Sequence, residues 1–190
     1  WTDLRNYGAN EADLYGQHLD ASGNKLWVTA GKKIADSVFY SVPKAVYTSD
    51  GNMIVLYSTT NGGGRIWAKK INNAGNIVWS VPFYIAGWPQ LGADIYDAVS
   101  DKSGGVIITY QVTWGGGTTL VFAQRVSSNG TIKWSASSNG FNLSVSGERR
   151  SPVITSDERG GAHIIWYIVT GPYTVWKTHI DSSGNFTTKE

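Results

Sequence analysis

Short apolar runs punctuated by polar, glycine-containing turns fill the chain, and no stretch between them carries the apolar spacing of a helix. Four segments align without a gap: residues 14–27 (LYGQHLDASGNKLW), 66–79 (IWAKKINNAGNIVW), 121–134 (VFAQRVSSNGTIKW) and 175–188 (VWKTHIDSSGNFTT). Each opens as a strand with an aromatic second residue (Tyr15, Trp67, Phe122, Trp176), crosses a four-residue polar turn ending in glycine, and enters a second strand-like run. The turn glycines Gly23, Gly75, Gly130 and Gly184 are spaced by 52, 55 and 54 residues. Trp27, Trp79 and Trp134 keep the first two spacings, and Thr188 stands in the tryptophan's place in the fourth segment. Glycine there suits the left-handed conformation that closes a short hairpin. Asp20, Asn72 and Asp181 open their turns, where a side-chain oxygen accepts from amides two residues on; Ser127 does so more weakly.

A second signature lies between these segments, at residues 41–57 (SVPKAVYTSDGNMIVLY), 98–110 (AVSDKSGGVIITY) and 151–167 (SPVITSDERGGAHIIWY). An extended run reaches Asp50, Asp101 or Asp157, turns through glycine and re-enters an apolar run; the first turn is two residues shorter than the others. The runs at 53–57, 106–108 and 162–166 are apolar at successive positions apart from His163, which predicts cover on both faces of each sheet. Radially stacked four-stranded sheets supply that cover, because each has a neighbour on either side. The expectation is an all-β protein: a β-propeller built from four-stranded antiparallel blades with a repeat of 52–55 residues. About three and a half blades are present, an outer half blade at 1–36 and blades at 37–89, 90–143 and 144–190.

These units resemble a repeat of secreted and surface-attached propellers that reads W-x-D-x-R, then IYAQR, then G-x-x-x-W. VFAQRV at 121–126 is its nearest copy, and WTDLR at 1–5 matches the end of a unit's second strand, which would give Trp1 the position of Tyr110 and Trp166. The Asp-box of sialidase-like propellers, S-x-D-x-G-x-x-W, is a weaker likeness. Here glycine and tryptophan lie four apart, and Asp20 is three residues before Gly23. The resemblance implies a secreted or cell-surface setting. With Trp1 at the end of a second strand, the first unit lacks its inner strands. The expectation is therefore that these residues come from a longer propeller, or that copies associate to cover the open faces.

Composition narrows the functions. The absence of cysteine excludes disulfides, thiol nucleophiles and thiolate metal centres, and a net charge of +2 gives no electrostatic case for nucleic acid. No run of apolar residues is long enough to span a bilayer as a helix. No cofactor is predicted: the GGG runs at 62–64 and 115–117 precede no lysine–serine or lysine–threonine pair, so neither is a phosphate loop.

Candidate chemistry falls in three groups. Asp50, Asp101 and Asp157 recur once per blade; such a ring at a channel mouth would gather a cation or a glycan, while turn capping explains the recurrence without a ligand. Trp88, beside Tyr84 in a long connection, and Trp114, beside three glycines, offer flat faces for a sugar ring or a peptide. Arg149 and Arg150, next to Glu148, would be an anion clamp or solvated charge. His18 and His179 share a repeated position with Lys70 and Arg125 and read as surface side chains, whereas His163 reads as buried or half-buried. The leading expectation is a non-catalytic binding or scaffold module of an extracellular or surface protein, recognising glycan or protein through inter-strand loops. The alternatives are a fragment of a propeller-type polysaccharide hydrolase or lyase, and an element assembling through exposed blade edges. Partners would be a glycan or protein ligand, and the rest of a longer propeller or a second copy.

Overall fold

A computed structural model describes residues 1–4, 12–38, 43–59, 65–79, 83–86, 92–113, 118–134, 140–143, 149–169 and 171–189. Fifteen strands are formed among them: β1 (Thr2–Asp3), β2 (Ala12–Gly16), β3 (Lys32–Val38), β4 (Lys44–Tyr47), β5 (Met53–Thr59), β6 (Arg65–Ile71), β7 (Phe83–Ala86), β8 (Gly92–Ser100), β9 (Val106–Thr113), β10 (Thr119–Val126), β11 (Phe141–Asn142), β12 (Arg149–Ser156), β13 (Ala162–Ile168), β14 (Thr174–Ile180) and β15 (Phe186–Lys189). All pairings are antiparallel. β8–β11 and β12–β15 are four-stranded sheets, and β1–β7 share a seven-stranded one. The larger sheet is two units, β1–β3 and β4–β7, joined by the single pair Val38↔Thr59.

The register repeats from unit to unit. Tyr57 pairs with Trp67, Tyr110 with Phe122 and Trp166 with Trp176. Trp1 exchanges both backbone hydrogen bonds with Tyr15, at 2.8 and 2.9 Å, and so takes the place of Tyr57, Tyr110 and Trp166 as its sequence position predicts.

One expectation about the hairpins needs correcting. The run after each polar turn is not a strand in the first three units; it makes one isolated bridge (Leu19↔Lys25, Ile71↔Ile77, Val126↔Ile132). The chain then swings its tryptophan, Trp27, Trp79 or Trp134, into the interior and forms the outer strand β3, β7 or β11 farther on. In the fourth unit, where Thr188 replaces tryptophan, the run does form a strand, β15.

Strand alternation sends successive side chains to opposite faces, and here each face meets a different neighbour. Ala12, Leu14, Trp27 and Ile34 of the first unit pack on Val55, Tyr57 and Ile71 of the second. Ile54, Leu56, Ile66, Ala68 and Trp79 pack on Val106, Ile108, Tyr110 and Phe122 of the third. Ile107, Val121, Ala123 and Trp134 pack on Ile154, Ala162, Ile164 and Trp166 of the fourth. Three seams therefore hold four units, and the middle strand β9 is buried from Val106 through Val112. At β13 the expected double cover fails: burial alternates, and His163 is exposed rather than buried. Its face of the fourth unit looks away from the third, so no described residue covers it.

Candidate functional site: a repeated inter-sheet seam

The polar residues that recur in the sequence converge on the seams. Asp50, Asp101 and Asp157 each cap their own turn. The Asp101 Oδ1 atom accepts from the amides of Ser103 and Gly105 at 2.8 and 2.7 Å, and the Asp157 Oδ1 atom from those of Arg159 and Gly161 at 2.8 Å. Asp50 Oδ1 instead accepts from the Thr48 hydroxyl at 2.7 Å, in keeping with its shorter turn. Glycine is required beside the longer turns: a Cβ on Gly161 would lie 2.3 Å from the Ile180 carbonyl oxygen and 2.5 Å from Asp157.

The second carboxylate oxygen of each aspartate meets the basic residue five positions before the polar-turn glycine. Lys70 Nζ donates to Asp50 at 2.5 Å, Arg125 Nε to Asp101 at 2.9 Å, and His179 Nε2 lies 2.9 Å from Asp157. This overturns the expectation of a surface position for the series. Lys70 is 1% exposed, because its stem runs along the seam between the second and third units and its ammonium ends among three acceptors.

The third acceptor comes from the next unit. Two residues before Gly75, Gly130 and Gly184, a backbone carbonyl points back across the seam. Asn73 O faces His18 Nδ1 at 3.3 Å and accepts from the Trp27 indole at 2.8 Å. Ser128 O accepts from Lys70 and from the Trp79 indole, both at 3.1 Å. Ser182 O accepts from Arg125 at 2.5 Å. At that last seam the Trp134 indole N–H is buried with no partner among the described residues. Two of the turn glycines are also crowded by the tryptophans: a Cβ on Gly75 would sit 2.9 Å from Trp27, and one on Gly184 3.0 Å from Trp134.

Electrostatics follows this pairing. Burial pulls the Asp50 carboxyl upward, but bonds from Lys70, Thr48 and Asn52 outweigh it and bring the group down to about 2. Asp157 is likewise pulled up by burial and then held below its ordinary value by His179 and the Arg159 and Gly161 amides. The recurrent acids are thus engaged in turns and seams, and among the described residues no cluster of three or more potential ligands could hold a metal ion.

The remaining candidates lie elsewhere. Trp88 and Trp114 fall outside the described residues, as does Glu148, and of Tyr84 and Arg149 the structure describes only the backbone, in β7 and at the start of β12. Arg150 follows in β12, exposed and opposite Tyr167. A cavity of about 550 Å³ between the first two units is lined by Leu14, Ile34, Ala45, Met53 and Val55 and reached past Trp1. It lies against Gly16, Gln17 and Leu19, whose counterparts in the other units pair with the residues of β5, β9 and β13 that precede Tyr57, Tyr110 and Trp166. No helix of the described residues is long and apolar enough to cross a membrane.

No protein-family model matches the chain, and no curated protein matches it. Among solved structures it is similar to a puromycin hydrolase, crystallised as the S511A mutant in complex with PGG, with a TM-score of 0.57 at 16% identity. The likeness covers 100% of this chain and 30% of the hydrolase. It extends to the fold: an all-β arrangement of small antiparallel sheets resembling propeller blades.

Proposed function

We propose that this chain is an arc of a β-propeller that serves a larger hydrolase as a non-catalytic scaffold. The carrying observation is the seam. The same set of basic residue, carboxylate and next-unit carbonyl recurs at the second and third seams, and the second and third units each use one face for the unit before and the other for the unit after. A seam built this way propagates around a ring. The hydrolase that the chain resembles throughout its length supports the larger setting, and the chain spans 30% of it. Use of Asp50, Asp101 and Asp157 in structure supports placing the chemistry outside this arc, as does the likeness of the repeat to extracellular propellers for a secreted or surface setting.

The test is the intact mass of the natural polypeptide, followed by assay of that polypeptide against polysaccharides and against amides including puromycin. The expected result is a covalent chain well above 20.6 kDa that hydrolyses a member of one panel. A monomeric natural product of 20.6 kDa would sink the proposal, and a dimer of that covalent mass would make the outer faces an interface between copies instead.

A further inference from the structure

One turn of the second unit breaks the repeat. Backbone bonds fix the correspondence: the Thr48 amide donates to Asn52 O, the Asp101 amide to Gly105 O and the Asp157 amide to Gly161 O. The residues one earlier, Tyr47, Ser100 and Ser156, therefore share a position, opposite Met53, Val106 and Ala162 at the start of the next strand. The two serines cap their turns, accepting from the amides of Lys102 and Glu158 at 3.2 and 3.0 Å. A tyrosine hydroxyl lies too far from its own backbone to do the same, and the Tyr47 side chain gains little cover, since the residue is 66% exposed. Neither the turn nor the core accounts for an aromatic at this place.

Tyr47 lines a recess of about 310 Å³ between the second and third units, together with Thr48, Ser49, Gly51, Ser100 and Lys102. That volume is at the low end of the roughly 300–1,000 Å³ of small-molecule sites. The tyrosine hydroxyl reaches the Gly51 wall, where a Cβ would lie 3.7 Å from it. The lining is rich in donors. Ser49 Oγ and Ser100 Oγ each accept from a backbone amide, of Gly104 and Lys102, which leaves their O–H groups to donate. Among the described residues no acceptor meets these hydroxyls or that of Tyr47. Lys102 gives one N–H to Glu158 at 2.7 Å and keeps the others. No carboxylate among the described residues lines the recess, and the neighbouring Asp50 is bonded to Lys70.

We propose that this recess binds a carboxylated sugar, with the carboxylate on the Lys102 ammonium, ring hydroxyls on Ser49 and Ser100, and one face of the ring against Tyr47. Donors without an acid beside them select an anion rich in acceptors. An apolar guest is rejected, because its burial would strand those donors. The phenol ring adds a flat, electron-rich face, which the C–H face of a sugar covers while its hydroxyls stay bonded. Glu158 competes for Lys102, but both side chains of that pair are exposed, 72 and 40%, so it contributes little in water. The site lies between two described units and does not depend on the propeller-arc reading.

Calorimetric titration of the full-length protein tests this, with D-glucuronate as the probe and glucose and acetate as controls. Glucuronate is expected to bind saturably, and glucose and acetate each at least about tenfold more weakly, because one lacks the charged hydrogen bond and the other the ring. Tyr47→Ser, which restores the residue of the third and fourth units, and Lys102→Gln should each weaken glucuronate binding about tenfold. Glu158→Gln frees the ammonium and should tighten it about two- to threefold. No saturable binding by the unaltered protein, or binding that survives both Tyr47→Ser and Lys102→Gln, overturns the site. Acetate binding as tightly as glucuronate overturns the sugar, and glucose doing so overturns the anion. Those two comparisons use the unaltered protein and hold even if a variant fails to fold.

Discussion

Replacing Lys70 by methionine isolates the seam's electrostatics, because methionine keeps most of the aliphatic stem and its packing. The ammonium it removes is 1% exposed by residue and uses all three donors, to Asp50 at 2.5 Å, Gly104 O at 2.7 Å and Ser128 O at 3.1 Å. Hydrogen bonds to charged groups contribute about 1.5–3 kcal/mol each, and breaking a buried pair costs about 3–5 kcal/mol. The Asp50 side chain is 38% exposed and regains water once its partner is gone. Ser128 O keeps the Trp79 indole as a donor, so the carbonyl orphaned by the change is Gly104 O. The lower end applies, about 3 kcal/mol. The assay is urea unfolding of Lys70→Met, Asp50→Asn and the double variant, with amide exchange reporting the seam between the second and third units. Asp50→Asn removes the carboxylate charge left by the lysine change, so the double variant should lose at least about 1 kcal/mol less than the sum of the singles. A loss under about 1 kcal/mol for Lys70→Met, or strict additivity, would refute the lock.

The pH dependence has a definite sign. Asp50 falls from 3.8 to about 2 on folding, so its contribution is complete above about pH 4 and is lost as pH drops toward 2. Its exposure screens the pair, leaving about 1 kcal/mol, which acid titration of stability in Asp50→Asn against the unaltered chain should recover. Trp79→Phe removes an indole donor bonded to Ser128 O, while Trp134→Phe removes one with no partner among the described residues, so the first should cost about 1 kcal/mol more by thermal unfolding. Equal costs would mean that Ser128 O gains nothing from the indole. Gly161→Ala drives a methyl group to 2.3 Å from Ile180 O and should destabilise by more than about 2 kcal/mol, whereas Gly171→Ala, with nothing within 4 Å, should cost only its positive φ of 96°. Matching losses at the two glycines would refute the steric account.

Much of the fold is legible in the chain because repetition turns weak local signals into a register. The aromatic at the second position of each aligned segment, the polar turn and its glycine place strands β2, β6, β10 and β14, and the WTDLR likeness puts Trp1 opposite Tyr15. The run after each turn misleads, since alternation alone does not show that Trp27, Trp79 and Trp134 leave their own sheet to cover the next unit's turn. The seam lock leaves a trace in the sequence, a basic residue five before each turn glycine, yet it reads as surface because the partner carbonyl lies in another repeat. Trp88 and Trp114 stand in departures from the repeat, where periodicity gives no register.

The sequence by itself determines the unit: strand order, turn chemistry, and the recurrence of a basic residue every 52–55 positions and of an aspartate at intervals of 51 and 56. Those are local properties, governed by the two-residue alternation of strands and the conformational freedom of glycine. Tertiary structure alone decides what the polar residues do. Only stacking one sheet on the next carries Ser128 O and Gly104 O to Lys70, turning a cation that belongs in water into a buried, fully bonded one. The same stacking separates His163 from Ile107, its counterpart in the third unit. Ile107 is buried because a fourth unit covers it, while His163 is exposed on a face that no described residue covers.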